Sequence, residues 1–238
     1  MTDFYAYLAG KPYPGRGIAL GRSGDNRRAV MVYFIMGRSE NSRNRIFAET
    51  EDGIETRPFD EALVTDPSLI IYHPVREIGG VTIVTNGDQT DTVRDGFDHG
   101  ETFAAALRTR EFEPDGPNWT PRISGIVTPG GSYRLSILKS MDGDPACCSR
   151  YFFEYEHPIP GVGHFISTYV GGGDPVPSFQ GEPVPIALGN ETAGELAEKI
   201  WNALNADNKV ALFVRTVELD SGKTDSVIIN KYQEGAAV

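Results

Sequence analysis

The chain has 238 residues, a formal net charge of -11 and 39% hydrophobic residues. That length lies at the upper end of what one hydrophobic core supports, and the acidic balance excludes a general nucleic-acid binder, which needs a basic surface to displace counterions. No run approaches the roughly 20 apolar residues that cross a bilayer, and Met1-Thr2-Asp3-Phe4 lacks the basic and apolar regions of a signal peptide. A cytoplasmic protein with no membrane partner is expected.

Most of the chain reads as short strands punctuated by Gly, Pro, Asn and Asp. In chain order, strands are predicted at residues 17–21, 29–36, 46–50 and 54–58, with Asp52-Gly53 as the hairpin turn between the last two. Residues 69–75 and 80–85 flank an Ile78-Gly79-Gly80 turn. A helix over 100–110 places Phe103, Ala106, Leu107 and Arg110 at three- and four-residue steps. Strands at 122–127 and 133–139 flank Pro129-Gly130-Gly131, and strands at 151–156 and 163–170 follow. The stretch 171–185 is rich in glycine and proline and reads as a loop insertion. A second helix over 192–206 carries Leu196, Ile200, Ala203 and Leu204 on one stripe behind a Thr192/Glu195 capping box, before strands at 210–219 and 226–232.

Many strands with few amphipathic helices is the pattern of an α+β layered fold, in which each helix lays one face on a sheet. No polar block is long enough to act as a linker, so residues 1–238 read as a single domain. Cys147 and Cys148 are adjacent, close no useful loop, and read as reduced thiols. The histidines His73, His99, His157 and His164 lie without ligand spacing, so neither a metal site nor a cofactor is expected.

The first sixty residues hold nine basic against eight acidic side chains, so the acidity resides in the rest of the chain. The basic residues of the first sixty are mostly arginine, among them Arg16, Arg38, Arg43 and Arg45. A planar guanidinium suits bidentate phosphate or carboxylate binding, so this clustering suggests a focused site for a small anion; a solvated basic rim is the plainer alternative. The densest polar segment, 37–45, follows the apolar strand 29–36, where binding loops concentrate. Thr85-Asn86-Gly87 with Thr90-Asp91 follows another strand and by itself reads as a tight turn with a helix cap. In 111–122, closely spaced carboxylates provide either an acid or base of raised pKa or a solvated acidic loop.

Taken together, Tyr13-Pro14-Gly15-Arg16-Gly17, Arg38-Ser39 with Asn44-Arg45, Asp66-Pro67 with Tyr72, Thr85-Asn86-Gly87 with Thr90-Asp91, and Asn118 with Thr120-Pro121-Arg122 resemble the archaeal-type inosine monophosphate (IMP) cyclohydrolase family. The resemblance runs from about residue 14 to the helix at Thr192. It implies a four-layer αββα sandwich of two mainly antiparallel sheets, similar to N-terminal-nucleophile hydrolases but without use of the N-terminal nucleophile. It also implies cofactor-free closure of 5-formamidoimidazole-4-carboxamide ribonucleotide (FAICAR) to IMP and water. By similarity, Arg38 would bind the oxygen that gains charge, Tyr72 would donate or relay a proton, and Glu113 would orient or deprotonate the amide. Asn44, Arg45, Asn86 and Arg122 would hold the base, ribose and phosphate.

The expected partner is thus a small purine ribonucleotide, and a homo-oligomer is left open. Two other readings remain. A non-catalytic nucleotide-binding module would keep the arginines without the chemistry, and an N-terminal-threonine amidohydrolase would use Thr2 once Met1 is removed.

Overall fold

The computed structural model describes residues 1–64 and 71–232. Asp66-Pro67 and the start of the strand expected at 69–75 lie outside the described residues.

Thirteen strands are described, in two antiparallel sheets. The first sheet contains β1 (Arg16–Arg22) and β2 (Arg28–Met36), together with β10 (Val162–Ser167), β11 (Val184–Ala187), β12 (Lys209–Glu218) and β13 (Thr224–Asn230). Their spatial order is β11-β10-β1-β2-β12-β13. The second sheet is a sequential meander of β3 (Ile46–Thr50), β4 (Gly53–Arg57), β5 (Val75–Ile78), β6 (Val81–Thr85), β7 (Arg122–Val127), β8 (Tyr133–Met141) and β9 (Asp144–Tyr155). The helices are α1 (Phe4–Ala9), α2 (Glu40–Arg43), α3 (Gln89–Asp98), α4 (Phe103–Leu107) and α5 (Ala193–Ala203).

The two-residue period of a strand explains the layering. In β2, Ala29, Met31, Tyr33 and Ile35 point into a core shared with Ile54, Val75, Val84, Ile123 and Leu135 of the second sheet. Val30, Val32, Phe34 and Met36 point the other way, onto α1 through Phe4 and Leu8 and onto α5 through Leu196 and Ile200. A strand buried on both faces must be apolar throughout, which is why 29–36 is an unbroken apolar run. On the second sheet, Ile83 and Ile126 turn outward to meet Val93 of α3 and Phe103, Ala106 and Leu107 of α4. The fold is therefore α+β, with two antiparallel sheets sharing one core and helices on both outer faces.

Several boundaries differ from expectation. The helix predicted over 100–110 is only Phe103–Leu107, because Gly100 takes a left-handed φ of 77° and Thr102 caps the N-terminus through Ala105 N. The strand expected at 69–75 begins at Val75. Tyr72 precedes it in irregular backbone held by hydrogen bonds with Thr56. β9 is longer than the predicted 151–156 and includes both cysteines. The 171–185 stretch is irregular until β11 begins at Val184. Helices α1, α2 and α3 were not anticipated as elements.

Antiparallel register gathers chemistry at one end of the sandwich. Arg16 opposite Ile35 and Gly17 opposite Ser167 bring the start of β1, the end of β2 and the end of β10 together. Thr85 opposite Ser124 does the same for Asn86 and Arg122 in the second sheet.

Candidate active site

A cavity of about 360 Å³ opens at this end. Its walls include Arg16, Arg38, Arg45, Glu113, Asp115 and Tyr169, with Tyr13, Ser39, Asn41, Ser42, Asn118 and Thr120 completing them. Arg16 reaches it because β1 starts immediately after a turn at Gly15, whose φ is 76°. A Cβ at Gly15 would lie 2.3 Å from Thr168 Oγ1 and 2.6 Å from Tyr169 Cδ2, so only glycine lets the Pro14-Gly15-Arg16 segment pass beneath Tyr169.

Arg45 is the deepest cation, with 1% of its surface exposed. Its Nε donates to Ser42 O at 2.9 Å and its Nη2 to Met36 O at 3.4 Å, while Nη1 is buried with no hydrogen-bond partner among the described residues. Arg16 Nε and Asn41 Oδ1 are buried and unpaired in the same way. Buried polar atoms rarely stay unpaired, since each costs about 1–3 kcal/mol, and three such atoms on residues that line one cavity mark where a polar ligand fits. Burial and the neighbouring Arg16 lower the Arg45 pKa. Arg16 moves the other way: burial opposes its charge, but the Glu113 carboxylate and the surrounding tyrosines raise its pKa.

Glu113 is 3% exposed and enters the cavity wall from the segment between α4 and β7. Its backbone amide donates to Thr120 O at 2.9 Å, and Oε1 accepts from Asn86 Nδ2 at 3.3 Å. Burial raises its pKa, against the opposing pull of Arg16, Arg122 and Arg45. Desolvation dominates here because the carboxyl has little contact with water.

The residues expected from sequence divide into two groups. Arg38, Arg45 and Glu113 line the cavity. Arg38 is exposed at its rim, stacked over the Tyr13 ring at 4.8 Å and donating to Gly173 O at 2.9 Å. Its position therefore ties the 171–185 stretch to the cavity mouth, a contact reinforced by Val176 N donating to Asn118 Oδ1 at 3.4 Å. The others stand behind or beside the wall. Tyr72 is buried, its hydroxyl 2.9 Å from that of Tyr33.

Asn86 uses both ends of its amide within the protein, donating to Pro121 O at 3.0 Å and accepting from Ile123 N at 2.8 Å. Arg122 donates to Asp88 Oδ1 at 2.7 Å and Gln89 Oε1 at 2.6 Å. Although burial acts oppositely, Arg110 and Arg122 together hold the Asp88 carboxyl below the usual range. Asn44 closes a reciprocal pair with Asp60 at 2.7 Å in each direction and lines a neighbouring recess with Arg43. Thr2 pairs through its backbone with Pro185 and Ala187 and is not among the cavity-lining residues, which removes the geometric support for a threonine nucleophile.

Arg16, Asp115 and Tyr169 line the site without having been assigned to it from sequence. Arg16 stood in the Tyr13 to Gly17 motif and Asp115 in the acidic segment, so a local signal existed for both. Tyr169 carries none, because it arrives from the end of β10.

A model of the family described as IMP cyclohydrolase-like protein matches residues 13–222. The chain belongs to that family. Archaeal proteins named IMP cyclohydrolase are similar to it. The Halobacterium salinarum protein is 29% identical over 132 residues, covering 54% of this chain and 63% of its own length. Its counterpart in Methanosphaera stadtmanae is 28% identical over 162 residues, covering 66% and 73%. That of Methanothrix thermoacetophila is 32% identical over 153 residues, covering 58% and 74%. The chain thus spans 63% of the length of the Halobacterium relative.

Proposed function

We propose that the protein is an IMP cyclohydrolase that closes the pyrimidine ring of FAICAR, giving IMP and water in purine biosynthesis. The observation that carries this reading is the buried, unpaired set of Arg16 Nε, Arg45 Nη1 and Asn41 Oδ1 on the walls of a cavity that also holds a carboxyl of raised pKa. Such a lining suits a small anionic heterocycle, and the family match supports a purine ribonucleotide in that role.

In the reaction the carboxamide nitrogen attacks the formyl carbon and loses a proton, while the formyl oxygen gains one. The resulting carbinolamine then loses its hydroxyl as water as the other ring nitrogen gives up its proton. The protein has to hold the two groups in contact, stabilise the oxygen that becomes negative, and move protons. Arg38 serves the oxygen. Glu113 contacts the carboxamide and exchanges a proton with the reacting groups, and Tyr72, hydrogen-bonded to Tyr33, relays a proton from behind the wall. Arg45 holds the ligand directly, whereas Asn86, Arg122 and Asn44 hold the walls: Asn86 orients Glu113, Arg122 fixes Asp88 and Gln89, and Asn44 anchors the segment that presents Arg45.

We also take residues 1–238 as one catalytic domain in the cytoplasm, with a four-layer αββα form similar to N-terminal-nucleophile hydrolases. The shared core and the helices on both outer faces support that form. Purified protein incubated with FAICAR should form IMP, followed by absorbance. IMP binding without turnover would favour a nucleotide-binding module instead.

A further inference from the structure

Ring closure removes a proton from a poor amide nucleophile, and the cavity wall contains a hydroxyl chain that the roles above leave unused. Thr120 is 1% and Tyr169 4% exposed, Asp115 is partly buried, and all three line the cavity. Asp115 Oδ1 accepts the Thr120 backbone N–H at 2.7 Å, and Asp115 Oδ2 accepts the Thr120 hydroxyl. On its other side, Thr120 Oγ1 lies 2.6 Å from the Tyr169 hydroxyl.

The proton directions follow from counting. A carboxylate only accepts, and a threonine hydroxyl has one proton. Because Thr120 gives that proton to Asp115, Tyr169 must donate in the 2.6 Å contact and Thr120 must accept. The single proton of Tyr169 is therefore committed to Thr120, and towards a ligand in the cavity the phenol oxygen can only accept. Burial pushes the Tyr169 phenol up to about 12, with the nearby Arg16 opposing the rise and Asp115 adding to it.

We infer that Tyr169, Thr120 and Asp115 form the proton-accepting arm of the site. This rests on the cyclohydrolase reading. As the carbon–nitrogen bond forms, the amide proton moves to the Tyr169 oxygen, the Tyr169 proton to Thr120, and the Thr120 proton to Asp115, which ends neutral. The π pair of the formyl group becomes a lone pair on its oxygen, which takes a proton from Glu113. Atoms and charge balance with no further reactant. Tyr169 is the catalytic residue of the arm, while Thr120 and Asp115 act through it as positioning residues.

Thr120→Val keeps the side-chain shape and breaks the chain at its centre. Turnover of FAICAR should fall about 100-fold, within the range for general-base help, while KM changes by less than about threefold. Thr120→Ser restores the hydroxyl and should return turnover to within about threefold of the parent protein. Tyr169→Phe, which preserves the ring stack on Tyr13 at 5.9 Å, should show the same loss and serves if the valine variant fails to fold. Parental turnover in either variant overturns the inference, as does a loss confined to KM or one that serine leaves unrepaired. Absence of FAICAR turnover by the parent protein would instead sink the cyclohydrolase reading, and this arm with it.

Discussion

Glu113 is the residue at which stability and chemistry conflict most directly. Burial lifts its pKa above the unfolded value, so its protonated form is favoured by folding. This contribution to stability is fully present below the ordinary carboxyl range and is lost as pH rises through the raised folded value. Glu113→Gln cannot ionise, so its melting temperature relative to the parent protein should climb between pH 4 and pH 8. A difference that stayed flat or narrowed would mean that Arg16 and Arg45 compensate the buried charge fully. Turnover of the same variant should fall by about two powers of ten or more, with less than about tenfold change in IMP affinity, because the interaction is used mainly in the transition state. Full activity with a lower melting temperature would make the carboxylate a structural partner of Arg16. Glu113 and Arg45 were named from the family resemblance, each standing in a polar segment that is local in sequence. Tyr169 was not, since its approach to Thr120 depends on which strands of two different sheets end together.

At the scale of elements, local and tertiary signals separate cleanly. The turns Asp52-Gly53 and Ile78-Gly79-Gly80 announce their hairpins by residue type, and β4 and β5 indeed pair with the expected neighbours. Helix α5 announces itself by a capping box that forms in full, with Thr192 Oγ1 accepting from Glu195 N at 3.2 Å. Helix α3 gives no such signal. Its sequence, QTDTVRDGFD, buries Gln89, Thr90, Val93 and Gly96, so a polar stripe faces inward and no apolar period is visible. That polarity is functional in the fold: Gln89 bonds Asn86 Oδ1 at 3.0 Å, and Asn86 in turn reaches Glu113. The Gly15 turn is the element on which the cavity depends most. Gly15→Ala combines left-handed strain with collision against Thr168 and Tyr169, so the protein should lose about 1–3 kcal/mol in denaturant unfolding and much of its turnover. Unchanged unfolding would show that Tyr169 can shift freely, contrary to its 4% exposure.

Across the whole molecule, a net charge of -11 surrounds a cavity lined by three arginines and two carboxyls, so attraction for an anion is confined to short range. An anion that enters must therefore gain its affinity from short-range contacts, which survive screening better than distant charges do. Arg16 and Arg45 supply donors that are already buried and unpaired, so a ligand that satisfies them stabilises the folded state by more than its contact area suggests. If the arginines meet a phosphate, IMP should protect the protein against thermal unfolding far better than inosine, which has the same base and ribose without the anion. By mass action, IMP at about 100 times its Kd contributes about 2.7 kcal/mol, or roughly 5–10 °C in Tm for a protein of this size. Inosine at the same concentration should give a shift of about 2 °C or less, and adding about 1 M salt should reduce the IMP effect only in part, since the contacts are buried. Equal protection by the two ligands would remove the phosphate from the arginine wall and leave those guanidiniums to the base and its reacting oxygen.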